Sequence, residues 1–434
     1  MALEQAENRP SISSQLHIRA IDPGEMEILA SIRGRCYDAT YAKQKRHHDY
    51  LLGEHWGDAA AGDFLIAERA GRAVGTITAL RGVMSVRGVS LPCQGIAWVG
   101  TSHDARRSSR GRSEPGIATQ LMHRTLAMAR ERGEVLTALA PFRASFYEHF
   151  GYGLVERRAL WDIPLGLLPA GEAEGFELLD PGDAAGERAI ADCRTRHLAR
   201  GHGDMAFPGY DGLGGFAGVL RKYQENGYCF LRRRADGGAS AFVLTEPKGE
   251  RGDFGLACPY LGFDTPDDFT AILSFLGSLR DQYRRVLIET PADEPINLLL
   301  RETQVPHRGV EHVHARCEFT TRLQVRILDH LRFLSETPWP DPAARGQVVV
   351  GVRECEGTTS IFGFDVSEGR CQAKAATGEP DFTCADKTWA AIAMGDLKAS
   401  TAAALGLATC TDHGKLPLLD TLSQGPLPFC REYF

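Results

Sequence analysis

Gly95-Ile96-Ala97-Trp98-Val99-Gly100-Thr101 is a short, nearly continuous apolar run. Such a run suits a strand buried on both faces. A polar stretch rich in arginine follows it, and Gly116-Ile117-Ala118 then opens a segment with helical spacing. From Gly116 to Arg132, Ala118, Leu121, Met122, Thr125 and Ala129 share one face, while Gln120, Arg124 and Glu131 face away. Gly133 is placed to end the helix. The order is therefore strand, loop, helix, with Val135 to Ala140 as the next strand.

The same rules read the flanking sequence. Leu16 to Ala20 alternates as a strand, and Glu25 to Tyr37 has helical spacing. Phe64 to Glu68 and Ala73 to Leu80 form a hairpin around Gly71-Arg72. Trp161 to Ala173 carries Pro164, Pro169 and Gly171 and reads as a linker. A second unit beyond it repeats the order helix, strands, helix, strand. A third opens near Thr321 with an amphipathic helix through Leu323, Val325, Ile327, Leu328 and Leu331. Strands at Gln347 to Val352 and Thr358 to Phe364 follow, then helices at Lys387 to Met394 and Leu397 to Leu405.

Composition narrows the functional class. The 434 residues are 43% hydrophobic and 24% charged, enough for two or three globular domains. The net charge of -7 argues against a general nucleic-acid binder. The 11 cysteines include no CxxC pair, so they read as buried thiols of a reducing, cytoplasmic compartment. No signal peptide is visible and no apolar stretch is long enough to span a bilayer. His312-Val-His314 offers two imidazoles on one strand face, but no third ligand has suitable spacing, so no metal is expected.

The strand-to-helix turn has the chemistry of an anion site. The first amides of a helix lack internal acceptors, and the helix dipole adds partial positive charge there. Gly116 and Ala118 are small enough for a pyrophosphate to approach. Arg106, Arg107, Arg110 and Arg112 supply charge-assisted donors. The exposed backbone at the end of the preceding strand can pair with an extended amide chain.

Val99 to Leu121 resembles the acetyl-CoA motif of the GNAT superfamily of N-acetyltransferases. Pro141-Phe142 and Ser145-Phe146-Tyr147-Glu148-His149-Phe150-Gly151-Tyr152-Gly153 resemble its next signature, in the PFxxxFYxxxGY form of the Eis-like (enhanced intracellular survival) subfamily. The resemblance implies an α/β (α+β) chain of tandem GNAT-like domains followed by a sterol-carrier-protein-like domain. The expected ranges are 1–163, 174–320 and 321–434.

By the same resemblance, acetyl-CoA is the co-substrate, met by Val99 and Thr101 and by Arg106, Arg107, Gly116, Ile117 and Ala118. The family runs almost directly from its arginine pair to the glycine, whereas SSRGRSEP intervenes here. Arg110 or Arg112 can therefore replace Arg106 or Arg107. Tyr147 matches the family's general acid, and the terminal carboxylate, here on Phe434, its general base. Asp38 and Glu432 are the acids expected to meet a cationic substrate. The implied reaction is N-acetylation of a primary amine: a small cationic amine, an aminoglycoside or a lysine side chain. A homo-oligomer, hexamer or dimer, is the family expectation, with no nucleic-acid or membrane partner. A non-catalytic acyl-CoA or lipid-binding protein on the same fold is the alternative that the lengthened loop favours.

Overall fold

The computed structural model describes residues 15–37, 40, 42, 63–106, 115–171, 173, 175–208, 216–249, 254–302 and 314–432. The chain divides into two compact units. One comprises Met1–Leu80 with Ile96–Glu131, the other Arg81–Gly95 with Arg132–Phe434.

In the first unit, β1 (His17–Ala20) lies antiparallel to β2 (Phe64–Arg69), with His17 opposite Glu68. Between them runs helix α1 (Met26–Tyr37). It buries Leu29, Ala30, Ile32 and Cys36, spaced as one helical face. A tight turn joins β2 to β3 (Arg72–Val86). Ala70 and Gly71 both take positive φ there, 51° and 72°, which matches the twist of a two-residue hairpin. β4 (Val89–Thr101) returns and leads to α2 (Ile117–Glu131). Ile117, Leu121, Met122, Leu126 and Ala129 are buried along one side of α2, each large side chain contributing about 2 kcal/mol. Gly75 on β3 makes the seat for this helix, since a Cβ there would lie 2.6 Å from Ile117 Cγ2 and 3.2 Å from Leu121 Cδ1.

The second unit begins its own secondary structure, after the tips of β3 and β4, with β5 (Leu136–Leu139), α3 (Ala144–Glu148), β6 (Gly153–Leu154) and β7 (Arg158–Pro164). β8 (Phe176–Leu178), α4 (Ala184–Leu198), β9 (Met205–Ala206), α5 (Phe216–Asn226), β10 (Tyr228–Arg233), β11 (Ala239–Lys248) and β12 (Gly255–Phe263) follow. α6 (Pro266–Ser278), β13 (Arg285–Pro291) and β14 (Arg316–Thr320) complete the middle sheet, whose order is β14-β7-β13-β12-β11-β10-β8. β12 and β13 are parallel and joined through α6. Ile190, Cys193, Phe242 and Leu244 form the core on one side. Leu256, Ile272, Leu276 and Ile288 form another. Apart from α5, the succession β8-α4-β10-β11-β12-α6-β13 follows the same order as the described elements β1-α1-β2-β3-β4-α2-β5.

Two sequence expectations are corrected here. Trp161–Pro164, the start of the stretch expected as a linker, is the end of strand β7, which is hydrogen-bonded on both sides, to β13 and to β14. Its proline sits at the last strand position, where a missing N–H costs little. The stretch after Thr321 is not a helix: Gln324–Ile327 is strand β15, inserted between β5 and β6. Leu323, Val325 and Ile327 satisfy a period of two as well as a helical face. The helix α7 (His330–Glu336) starts only at Asp329, whose side chain accepts from the Arg332 amide. The sheets thus take one strand each from across the boundaries expected near 163 and 321.

The last sheet holds β16 (Gly346–Arg353), β17 (Thr359–Ser367), β18 (Arg370–Ala375), β19 (Phe382–Ala385) and β20 (Ala408–Cys410), in the order β18-β17-β16-β19-β20. Helices α8 (Asp386–Ala393), α9 (Ala399–Ala404) and α10 (Leu416–Asp420) accompany it. Phe333, Phe362, Phe382 and Trp389 are buried at its centre. Among the described residues, no helix is long and apolar enough to cross a membrane.

Candidate functional site

In the first unit, β4 departs from regular strand geometry at Trp98, whose φ is 55°. A bulky residue in that region is uncommon and needs outside support. α1 supplies it: the Arg33 guanidinium lies 4.7 Å from the Trp98 ring centre, and Tyr37 meets the ring edge-on at 5.4 Å. Gly100 follows, where a Cβ would stand 2.7 Å from the Cys36 Cβ. The end of β4 therefore bends while packed tightly on α1. Val99 and Thr101 are half-buried.

Arg106 is committed to this framework. Its Nε donates to the Thr101 carbonyl at 3.1 Å and its Nη2 to the Cys36 carbonyl at 3.3 Å. It thereby ties the end of β4 to the end of α1. Arg107, Arg110 and Arg112, like Asp38, lie outside the described residues.

The start of α2 is open. The Gln120 amide donates to the Gly116 carbonyl, so the amides of Ile117, Ala118 and Thr119 precede the first intrahelical bond. The first turn carries no acidic residue. Ile117 points into the core, and Ala118 is half-buried. Among the described residues, a Cβ on Gly116 would meet only Thr119 Oγ1, at 3.9 Å. Amides without an intrahelical acceptor, small residues beside them and a helix dipole are what a pyrophosphate needs.

The corresponding turn of the middle domain is closed. Thr265 and Asp268 form a reciprocal capping box before α6, Pro266 occupies the first helical turn, and Asp267 adds a second acid. There the Thr265 hydroxyl accepts from the Asp268 amide and the Asp268 carboxylate from the Thr265 amide, and the two acids repel an anion.

In the second unit, Tyr147 sits in α3 with only 4% of its surface exposed. Phe146 meets it edge-on at 5.0 Å, and Tyr152 at 6.3 Å. Its carbonyl accepts from the Phe150 amide at 2.9 Å. Tyr152 is fixed by a 2.8 Å bond between its hydroxyl and Thr137 Oγ1. Among the described residues no hydrogen-bond partner meets the Tyr147 hydroxyl. Burial pushes its pKa up to about 12. The motif is braced from behind: Arg326 donates to the Phe150 carbonyl, Lys387 pairs with Glu148 at 2.8 Å, and Gly151 approaches Asp386.

The C-terminal segment is docked in the same unit. The Leu427 amide donates to Asp293, Phe429 to the His202 carbonyl, Cys430 to Glu156 and Arg431 to Asp204. The Cys430 carbonyl accepts from Arg158 and from Arg322, at 2.5 and 2.6 Å. The Phe429 ring lies 4.2 Å from the Arg158 guanidinium. Glu432 is 2% exposed, and its Oε1 accepts from Arg194 at 2.7 Å and from the Tyr260 hydroxyl at 2.9 Å. Burial, the larger effect, pushes the Glu432 carboxyl up, and the Arg194 charge offsets part of that. Phe434 lies outside the described residues.

The family description of the acetyltransferase (GNAT) domain matches residues 17–155. Residues 17–155 therefore form a GNAT acetyltransferase domain. A sterol carrier protein domain matches residues 331–431. Among solved structures, a GCN5-related N-acetyltransferase from Anabaena variabilis is similar at a TM-score of 0.79 and 16% identity, covering 97% of this chain and 100% of that one. Eis1 from Mycobacterium abscessus is similar at 0.74 and 18%, covering 97% and 100%. A GCN5-related N-acetyltransferase from Kribbella flavida is similar at 0.73 and 19%, covering 98% and 100%. At such identities these likenesses establish the fold, which is the Eis-like arrangement of tandem GNAT-like domains and a sterol-carrier-like domain. No curated protein sequence matches the chain.

The GNAT reading of the sequence found the turn before α2 and the Tyr147 motif. It missed the partners that hold the C-terminal segment. Arg194 and Tyr260 are far from both motifs in sequence, and nothing in their spacing marks them. The buried pair Glu156–Arg158 carries only a weak signal, two opposite charges two residues apart where β7 begins.

Proposed function

We propose that this GNAT acyltransferase moves the acetyl group of acetyl-CoA directly to a primary amine, a small cationic amine, an aminoglycoside or a lysine side chain. The observation that carries the reading is the open first turn of α2 at Gly116, in contrast to the capped turn of the middle domain. Acetyl-CoA supplies an activated acyl group as its thioester. Gly116, Ile117 and Ala118 would take its phosphates on their amides, and Val99 and Thr101 would offer backbone to its amide arm. Of the arginines, Arg107, Arg110 and Arg112 are favoured for the phosphates over Arg106, which already serves two carbonyls.

The Phe434 carboxylate takes the ammonium proton of the acceptor. Its reference pKa of about 3.3–3.7 keeps it ionised at neutral pH. A backbone amide near Val99 donates to the carbonyl oxygen as negative charge builds there. Tyr147 gives its proton to the departing sulfur; a phenol held at about 12 is fully protonated at neutral pH. Asp38 remains the acid proposed to attract the cationic acceptor. Glu432 is better read as an anchor than as a substrate contact, because both its exposure and its partners turn it inward.

Three functional parts, 1–163, 174–320 and 321–434, a homo-oligomer and a cytoplasmic location complete the proposal. Thiol release from acetyl-CoA in the presence of kanamycin, spermidine and N-α-acetyllysine tests it. CoA should appear only when an amine is present, and its absence with all three acceptors overturns the proposal. Extending the chain by a few residues beyond Phe434 should abolish turnover while acetyl-CoA binding persists.

A further inference from the structure

β14 is an edge strand of the middle sheet, and its residues Arg316, Cys317, Glu318, Phe319 and Thr320 are all exposed. β7 binds one side of it, with Arg316 opposite Asp162 and Glu318 opposite Leu160. Among the described residues no strand pairs with its other side. Arg285 pins the start of the strand by donating to the His314 carbonyl at 3.0 Å. Such an edge is a row of backbone donors and acceptors ready for another strand. Natural edges are commonly blunted by a proline, a lysine or a bulge. β14 has none of these, and its Phe319 is 67% exposed.

Charge decides which strand fits. Side chains alternate along β14, so Arg316 and Glu318 share one face and Cys317 and Phe319 the other. Among the described residues neither Arg316 nor Glu318 has an ion-pair partner. A second β14, laid antiparallel about a two-fold axis, can be centred on Arg316, Cys317 or Glu318. Centring on Arg316 opposes two arginines, and centring on Glu318 opposes two glutamates; like charges directly opposite are destabilising. Centring on Cys317 sets Arg316 opposite Glu318 of the partner subunit, and the axis repeats that pair. It also sets Phe319 opposite a small residue, Ala315 of the partner subunit. One register is thus self-complementary, as a two-fold interface requires.

We propose that two copies of this chain join edge to edge through β14, in the register centred on Cys317, so that their middle sheets run on as one. This deepens the homo-oligomer of the proposed function by naming a surface for it, and it rests on that reading. The axis brings the two Cys317 residues directly opposite each other, with Cα atoms about 4.5–5.5 Å apart. A disulfide can bridge that span.

Cross-linking tests the register. The full-length protein is oxidised with copper phenanthroline and run on a non-reducing denaturing gel. The interface predicts a linked dimer that is lost in Cys317→Ser and kept in Cys355→Ser, which removes another exposed cysteine. Glu318→Arg makes both cross-strand pairs like-charged and should slow linking about tenfold or more. The double variant Arg316→Glu/Glu318→Arg exchanges the charges and should recover the wild-type rate to within about twofold. Both positions are exposed, so melting points should hardly move. Absence of a Cys317-dependent dimer, an undiminished rate in Glu318→Arg, or no recovery in the double variant overturns the interface. Sedimentation velocity separates the two readings. An oligomer without the Cys317 link overturns the β14 interface alone, whereas a monomer overturns the homo-oligomer as well.

Discussion

Gly151 and Asp386 stand so close that a Cβ on the glycine would lie 2.8 Å from the Asp386 Cγ. The glycine also holds φ at 78°, a region unfavourable to any side chain. The Asp386 carboxylate meanwhile accepts from the amides of Cys355 and Lys387, so it cannot move away freely. The glycine of the Phe-Gly-Tyr turn is thus the point where the start of α8 meets the segment carrying Tyr147.

Replacing it tests that contact. Gly151→Ala combines left-handed strain with overpacking and should cost about 3 kcal/mol. A thermal melt should show a lower midpoint, and Tyr147-dependent turnover should fall with it. An unchanged midpoint would mean that the turn relaxes without help from Asp386.

Tyr147 gives a pH prediction. A general acid must be protonated, and burial raises this phenol from 10.0 to about 12. At saturating amine, kcat should hold level through pH 10.0, where an ordinary tyrosine is half ionised, and fall only towards 12. Tyr147→Phe should lower kcat about 100-fold. Its melting point should hardly change, because no described partner meets the hydroxyl. A kcat equal to wild type would remove Tyr147 from the reaction.

His202 links acid stability to the tail. Its Nε2 donates to the Met394 carbonyl at 2.7 Å, and its Nδ1 accepts from the Arg87 amide, so both nitrogens are used by the neutral ring. Burial lowers its pKa to about 3 from 6.5, with Arg87 adding to the effect. The unfolded chain binds this proton first. The stabilisation is therefore fully present above pH 6.5 and is lost as pH falls towards 3. Within that window the loss is about 1.4 kcal/mol per pH unit. Denaturant melts of wild type and His202→Gln at pH 7 and pH 5 check this: the variant should show a shallower slope, and equal slopes would contradict it.

How far the sequence could reach follows from what each feature depends on. The face of α2 was readable because its burial repeats every three to four residues from Ile117 to Ala129. The open turn was readable because small residues at 116 and 118 and a lack of early acids are local facts. β7 and β15 were not, because which sheet a strand joins depends on distant partners such as Ile288 and Ala138. The buried anchoring of Glu432 was not legible for the same reason. An acid near a terminus looks solvated until Arg194 and Tyr260, more than 170 residues away in sequence, close over it. The bend at Trp98 leaves no trace in residue type, since tryptophan is a poor choice for positive φ.

The central claim is that acetyl-CoA binds at the start of α2 and at no second turn of the chain. Calorimetric titration of CoA into the wild-type chain and into Gly116→Phe tests it most directly. Among the described residues the added ring meets only Thr119, so the variant should fold normally. The account predicts one site per chain in the wild type and at least about tenfold weaker binding in the variant. Undiminished binding by Gly116→Phe, or two equivalent sites in the wild type, would contradict it.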